Sequence, residues 1–190
     1  MIFAINLSRL SDEQLMKRAA DGNERAFAEL YNRYARRLQS FLFRQLAGDS
    51  ELAADYTHDT FLRIFDARHQ YRQNQSFQTW LFSVAYNLCK NRYRHLQVKT
   101  KAVAMIERQP EAEQPEVEVR LNREELDAAL QSVLNSLPAD AHMLFALRFE
   151  EELTVAQTAA VMQLPEGTVK SRQHKIMNYI KQQLRNYETR

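Results

Sequence analysis

Residues 154–184, TVAQTAAVMQLPEGTVKSRQHKIMNYIKQQL, leave room for little besides two helices joined by a tight turn. Thr154-x-x-Gln157 has the spacing of a capping box, in which each side chain satisfies a backbone donor at a helix start. Ala156, Ala159 and Ala160 keep the first helix thin, so that a second helix can cross it closely. Pro165 suits the first turn of that second helix, where a missing N–H costs nothing. Val169, Ile176, Ile180 and Leu184 then share one side, while Lys170, Ser171, His174, Lys175 and Asn178 share the other. This is the layout of a helix-turn-helix, whose second helix can enter the major groove of DNA. Any helical domain can show two amphipathic helices with a solvated polar face, so the rest of the chain must decide between the two readings.

Only 3 Gly and 4 Pro occur in 190 residues, among many Leu, Ala, Gln, Glu and Arg, which predicts an all-α fold. The net charge of +2 is unevenly spread. Residues 1–100 hold 15 Lys+Arg against 10 Asp+Glu, residues 101–130 hold 4 against 8, and residues 131–190 hold 7 against 6. Two basic blocks thus flank an acidic connector, an asymmetry that points to a polyanionic partner. The single Cys89 cannot form an internal disulfide, which fits a reducing, cytoplasmic setting, and its apolar neighbours Val84, Ala85 and Leu88 predict a buried, inert thiol. The five histidines show no metal-ligand spacing, so neither a metal site nor a cofactor is expected. Residues 1–10 lack the apolar stretch of a signal peptide, and no segment approaches the roughly 20 apolar residues of a membrane span, so no direct membrane insertion is expected.

The organisation expected is two helical domains joined by a flexible acidic linker. Residues 11–96 form the first, a four-helix domain. Ser11-x-x-Gln14 is a second capping box, with Leu10 and Leu15 placed as a hydrophobic staple. Asp21-Gly22-Asn23 and Gly48-Asp49 interrupt the pattern, and the third and fourth helices are expected over about 51–68 and 77–94. Residues 97–122 carry Pro110 and Pro115, several Glu and few aromatics, the composition of a tether. A second helical domain covers 123–187, with a break at Leu137-Pro138, a helix over 143–149 and the helix-turn-helix at its end.

Two faces of the first domain are candidates for work. Glu51, Asp55 and Asp59 form an acidic stripe at i, i+4 spacing, opposite Phe61, Ile64 and Phe65. Such a stripe is either solvated or docked on a basic protein surface. In the fourth helix, Asn87, Lys90, Asn91 and Arg94 form a polar face, with Tyr71, Phe77, Tyr86 and Tyr93 around it. Basic groups beside aromatics suit single-stranded DNA, because charge follows phosphates while rings stack on exposed bases. Trp80, Leu81, Val84, Ala85 and Leu88 are expected to face the core.

With these motifs in order, the chain resembles bacterial sigma-70-type initiation factors, specifically the small extracytoplasmic-function (ECF) group that keeps only the second and fourth conserved regions. Asp21-Gly22-Asn23-x-x-Ala26-Phe27 with Leu30-Tyr31-x-x-Tyr34 is similar to the family's opening. Ala54-Asp55-x-x-x-Asp59-Thr60-Phe61-Leu62 is similar to the helix that binds the clamp helices of RNA polymerase. Phe77-x-Thr79-Trp80-Leu81-x-x-x-Ala85-x-Asn87 is similar to the segment that melts and reads the minus-ten element, and Gly167-Thr168-Val169-Lys170-Ser171-Arg172 to the helix that reads the minus-35 element.

The resemblance implies a region 2-like and a region 4-like domain, with core RNA polymerase, promoter DNA and an anti-sigma factor as partners. It implies polymerase contacts at Asp55, Asp59, Thr60, Phe61 and Leu62. It implies minus-ten contacts at Asn87, Lys90, Asn91 and Arg94, and minus-35 contacts at Thr168, Lys170, Ser171, Arg172, His174 and Lys175. His58 and Tyr56 depart from the family's usual Gln and aliphatic residue, and Gln173 stands where a Leu is common in the recognition helix. A stand-alone regulator with the same helix-turn-helix is the alternative, but it should carry a dimer interface or ligand pocket in its other domain. An enzyme such as a nuclease needs clustered carboxylates or His/Cys metal ligands, or a nucleophile with its base. Asp55 and Asp59 could pair only with each other on an exposed helix, and no Gly-rich phosphate loop appears, so catalysis is left to the polymerase.

Overall fold

Short polar side chains, Ser11, Asn23, Asp49 and Thr154, cap four of this chain's apolar runs and set where those helices begin. The computed structural model describes residues 6–72, 74–103 and 123–188, and side chains over 6–72, 74–93 and 125–185. Helix α1 is Asp12–Ala20; the Gln14 N–H donates to Ser11 Oγ at 3.2 Å and the Ser11 N–H to Gln14 Oε1 at 3.0 Å, the expected capping box. Helix α2, Glu24–Gln45, is capped by Asn23 Oδ1, and helix α3, Ser50–Asp66, by Asp49 Oδ1. The α2–α3 reversal puts Ala47 and Gly48 at φ 56° and 81°, left-handed backbone that terminates a helix. Helix α4 begins at Phe77 and runs to Val103.

The chain divides into two compact units, parted within α4 at residues 92 and 93. In the first, α2 buries Ala26, Leu30, Tyr34, Leu38, Phe41 and Leu42 along one stripe, and α1 and α3 pack on it. Ring contacts tie α2 to α4: Phe41 meets Phe82 edge to face at 5.0 Å, and Tyr34 meets Phe77 at 5.4 Å. Arg33 fastens the segment before α1, donating to the Leu7, Ser8 and Leu10 carbonyls and pairing with Asp12 at 2.8 Å and Glu29 at 2.9 Å. The Phe77 N–H donates to Glu13 Oε1 at 3.3 Å, placing a carboxylate at the positive end of α4.

The remaining helices are α5 (Arg123–Ser136), α6 (Ala139–Phe145), α7 (Val155–Met162) and α8 (Glu166–Glu188). Both α5 and α6 pack on α8, whose Val169, Ile176 and Ile180 are buried. Ser136 Oγ and Tyr179 Oη approach to 3.2 Å across that contact.

Three expectations change. The helix expected over 143–149 starts at Ala139, because Pro138 serves as its cap, and its end widens into a π-helical turn, Ala146–Glu150. Helix α4 continues through residues 97–103, which composition had assigned to the tether; no Gly or Pro interrupts that stretch. The tether's remaining part lies outside the described residues. Trp80 is only half-buried and stacks on Tyr71 at 5.4 Å, and Val84 is also half-buried, while Phe82 and Cys89 take core positions instead.

Candidate functional site

Three exposed faces carry the chemistry that the sequence singled out. On α3, Glu51, Asp55 and Asp59 are exposed, and among the described residues none of them has an ion-pair partner. Leu62 is 46% exposed and continues the stripe at i+3 from Asp59; Asp66 extends it by another i+4 step. Asp66 went unnoticed in the sequence although it keeps the same spacing. Thr60 and Phe61 are placed differently. Thr60 is fully buried, its hydroxyl donating to the Tyr56 carbonyl at 2.6 Å, and Phe61 packs against Tyr31 at 4.7 Å and Phe27 at 6.2 Å. A turn of about 100° per residue sends neighbours in one motif to opposite sides, so these two hold the helix and present no surface. The outward set is Asp55, Asp59, Leu62 and Asp66, beside the 40%-exposed Tyr31.

On α4, Asn87 and Asn91 are exposed and Lys90 is half-buried, its Nζ lying 5.6 Å from the centre of the buried Tyr86 ring. Arg94 is in the same helix, with its side chain outside the described set. Trp80 lies seven residues before Asn87, hence on the same side of the helix two turns away, about 10 Å along the axis. The Tyr71–Trp80 stack therefore borders the polar face and does not close the core. Burial, with Glu13 and Asp12 adding to it, pushes the Tyr71 hydroxyl up to about 12, so it stays protonated and donates to the Gln75 carbonyl.

Cys89, beneath this face, is fully buried, and burial pushes its thiol up to about 12 despite the opposing influence of Arg92. Only the thiolate is nucleophilic. At pH 8 the folded protein should therefore resist an aromatic disulfide reagent and react fully in denaturant; rapid native labelling would contradict this burial.

On α8, the helix-turn-helix forms with its capping box intact, the Thr154 N–H to Gln157 Oε1 at 2.8 Å and the Gln157 N–H to Thr154 Oγ1 at 3.2 Å. Of the three alanines, only Ala159 is buried. Gln163 takes the left-handed turn position at φ 56°, and the Pro165 carbonyl accepts from the Thr168 and Val169 amides, so Pro165 caps α8 from just outside it. Lys170, Ser171, Arg172, His174 and Lys175 are all exposed along the first turns of α8, and Thr168 is half-buried. His174 is bonded to Asn178 at 2.9 Å. Gln173 is half-buried and accepts from Arg148 Nε at 2.9 Å.

Among the described residues no cluster of His, Cys, Asp or Glu could hold a metal ion, and no helix is long and apolar enough to cross a membrane. The Sigma-70 region 2 model matches residues 30–98, and the Sigma-70, region 4 model matches residues 133–182. The RNA polymerase sigma-H factor of Pseudomonas aeruginosa is 31% identical over 87% of this chain and 90% of its own length. The ECF RNA polymerase sigma-E factor of Escherichia coli is 28% identical over 86% and 89%. The fold is shared with CnrH in complex with the cytosolic domain of CnrY, at TM-score 0.66 and 22% identity over 91% of this chain and 96% of that one. It is shared also with the sigma factor RpoE of Bartonella quintana in complex with the anti-sigma factor NepR, at 0.64 and 19% over 84% and 96%.

Proposed function

Because this chain belongs to the sigma-70 family, in its extracytoplasmic-function group, we propose that its three exposed faces divide the work of a promoter-directing RNA polymerase sigma factor among α3, α4 and α8. The stand-alone regulator loses its standing, since the curated relatives match nearly end to end and are sigma factors. Sigma factors initiate transcription by binding; phosphoryl transfer belongs to the polymerase.

In this reading, Asp55, Asp59 and Leu62 dock on core polymerase, with Thr60 and Phe61 fixing the helix beneath them. Asn87, Lys90, Asn91 and Arg94 line the path of the melted minus-ten strand, and the Tyr71–Trp80 stack offers an aromatic edge beside it. Capture of unstacked bases offsets an opening cost on the order of a few kcal/mol per base. Thr168, Lys170, Ser171, Arg172, His174 and Lys175 meet the minus-35 duplex. Residues 11–96 and 123–187 serve as the two working domains, with the acidic tether between them. An anti-sigma partner that covers these faces, and action in the cytoplasm alongside the polymerase, belong to the same proposal; CnrH and RpoE, which share the fold, were both solved with bound partners.

The observation that carries the reading is an exposed acidic and apolar stripe on α3, without an ion-pair partner among the described residues, together with an exposed basic row on α8, inside the segments that match regions 2 and 4. Asn87→Ala tests the division of labour. It removes an exposed side chain, so folding and polymerase binding should hold, while promoter opening, read by permanganate reactivity of unpaired thymines, should fall about tenfold or more, as for loss of one base contact. Equal loss of polymerase binding and opening in the folded variant would sink the assignment.

A further inference from the structure

The helix-turn-helix is braced by one side chain that no motif singles out. Arg148 stands in the π-helical turn Ala146–Glu150, and its guanidinium works in three directions. Its Nε donates to Gln173 Oε1 on α8 at 2.9 Å, a terminal nitrogen donates to the Leu153 carbonyl just before α7, and its Cζ lies 6.0 Å from the centre of the Phe149 ring. One planar cation thus ties together the π turn, the entry to α7 and the first turns of α8. Gln173 lies between Arg172 and His174, two of the exposed side chains on the DNA-facing row.

We infer that Arg148 is a positioning residue for promoter choice: by holding Gln173 it sets the rotation of α8 about its own axis, and with it the aim of Lys170, Ser171, Arg172 and His174. This rests on α8 reading the upstream promoter element. The buried apolar contacts of α8, Val169, Ile176 and Ile180, set its coarse seating, and Ser136–Tyr179 adds a polar contact to α5 further along; the Arg148–Gln173 bond is the directional contact beside the DNA-facing row and sets the fine angle there. Side-chain tips stand about 5–6 Å from a helix axis, so a 20° rotation moves them by about 2 Å. Donor–acceptor distances in hydrogen bonds span only about 0.5 Å. A small rotation therefore costs base discrimination while leaving phosphate attraction largely intact. The fork of an arginine is needed for this, because a lysine ammonium is a single point of charge on a flexible stem. The π turn also belongs to the device: one widened turn re-aims the side chains within it, and such turns recur at functional sites.

The test uses the full chain with core RNA polymerase, transcribing a template pool in which the upstream element of a promoter found by run-off on genomic fragments is randomised. The readout is the ratio of transcripts from the preferred element to those from single-base variants. Both templates compete for the same preparation, so the ratio is independent of the fraction of protein folded. Arg148→Ala and Gln173→Leu should each lower that ratio about tenfold, the effect of losing one base contact, and the double variant should lower it no further, as expected when two residues act through one bond. Gln173→Glu, which keeps an acceptor for Arg148, should retain the ratio, and Arg148→Lys should not. An unchanged ratio in Arg148→Ala, or full function in Arg148→Lys, overturns the inference; the second result would mean that charge alone matters. Should Arg148→Ala fail to fold, the contrast between Gln173→Leu and Gln173→Glu decides alone, and equal ratios in those two overturn it. Lys170→Ala and Arg172→Ala run alongside. If they change the ratio and Arg148→Ala does not, only the role of Arg148 falls; if none changes it, α8 does not read the element and both readings fall.

Discussion

Reversing two charges on α3, Asp55→Lys with Asp59→Lys, is expected to weaken binding to core RNA polymerase by about a hundredfold or more. Both carboxylates are exposed, and neither pairs with a cation among the described residues. The electrostatics of this face are therefore available to a partner. Placing like charge against a basic docking surface costs several kcal/mol, and each 1.4 kcal/mol is tenfold in affinity. The fold should not register the change. Glu51, Asp55 and Asp59 already repel at i, i+4, and a lysine at 55 gains Glu51 as a favourable neighbour, so helix stability moves by only a few tenths of a kcal/mol. Equilibrium binding of labelled protein to sigma-free polymerase measures the loss, and thermal unfolding supplies the control. Binding within about twofold of the parent would remove α3 from the polymerase interface.

The second large effect lies in the core. Phe82 is fully buried and meets Phe41 edge to face, joining α4 to α2. Phe82→Ala should cost about 3–5 kcal/mol through lost burial and the cavity left behind. That is a large part of the roughly 5–15 kcal/mol that holds a typical domain. The chain's single tryptophan, Trp80, lies in this unit beside Tyr71, so its fluorescence follows this unit's unfolding in urea. Phe43→Ala is the matched control: Phe43 is 43% exposed, and its loss should cost under about 1 kcal/mol. Equal midpoints for the two variants would mean that α4 is not seated on α2 as described.

These expectations draw on features of unequal legibility. The capping boxes at Ser11 and Thr154 were readable from sequence because both partners sit within one helical turn, where chain geometry leaves little choice. The buried stripe of α2, Ala26, Leu30, Tyr34, Leu38, Phe41 and Leu42, is legible in sequence as spacings of 3 and 4 repeated over several turns. The end of α4 is not. Acidic, proline-containing composition marks the middle of the connector, but nothing between residues 97 and 103 either stops a helix or demands one.

Within the candidate faces, the motifs fall on exposed helices, α3, α4 and α8, but they do not give the direction of every side chain. Thr60 and Phe61 share a motif with Asp59 and Leu62, yet turn inward, because a contiguous block on a helix spans all its sides. Trp80 was misplaced for a related cause: a large aromatic ring suggests core, whereas its position relative to Asn87 and Asn91 puts it at the rim of the polar face. Gln173 stands where a Leu is common in the recognition helix, and nothing beside it in sequence explains the change. Its partner Arg148 is 25 residues away and is aimed by a π turn that no local pattern announces. Non-local polar pairs of this kind are the least legible part of a sequence, since neither member looks unusual alone.

The most direct test of the account is a single reconstitution: the purified full chain is incubated with core RNA polymerase lacking any sigma factor, then supplied with genomic fragments for run-off transcription. The account predicts a stable complex and transcripts with discrete start sites that are absent from core enzyme alone. No complex with core, together with tight sequence-specific DNA binding by the chain by itself, would contradict it.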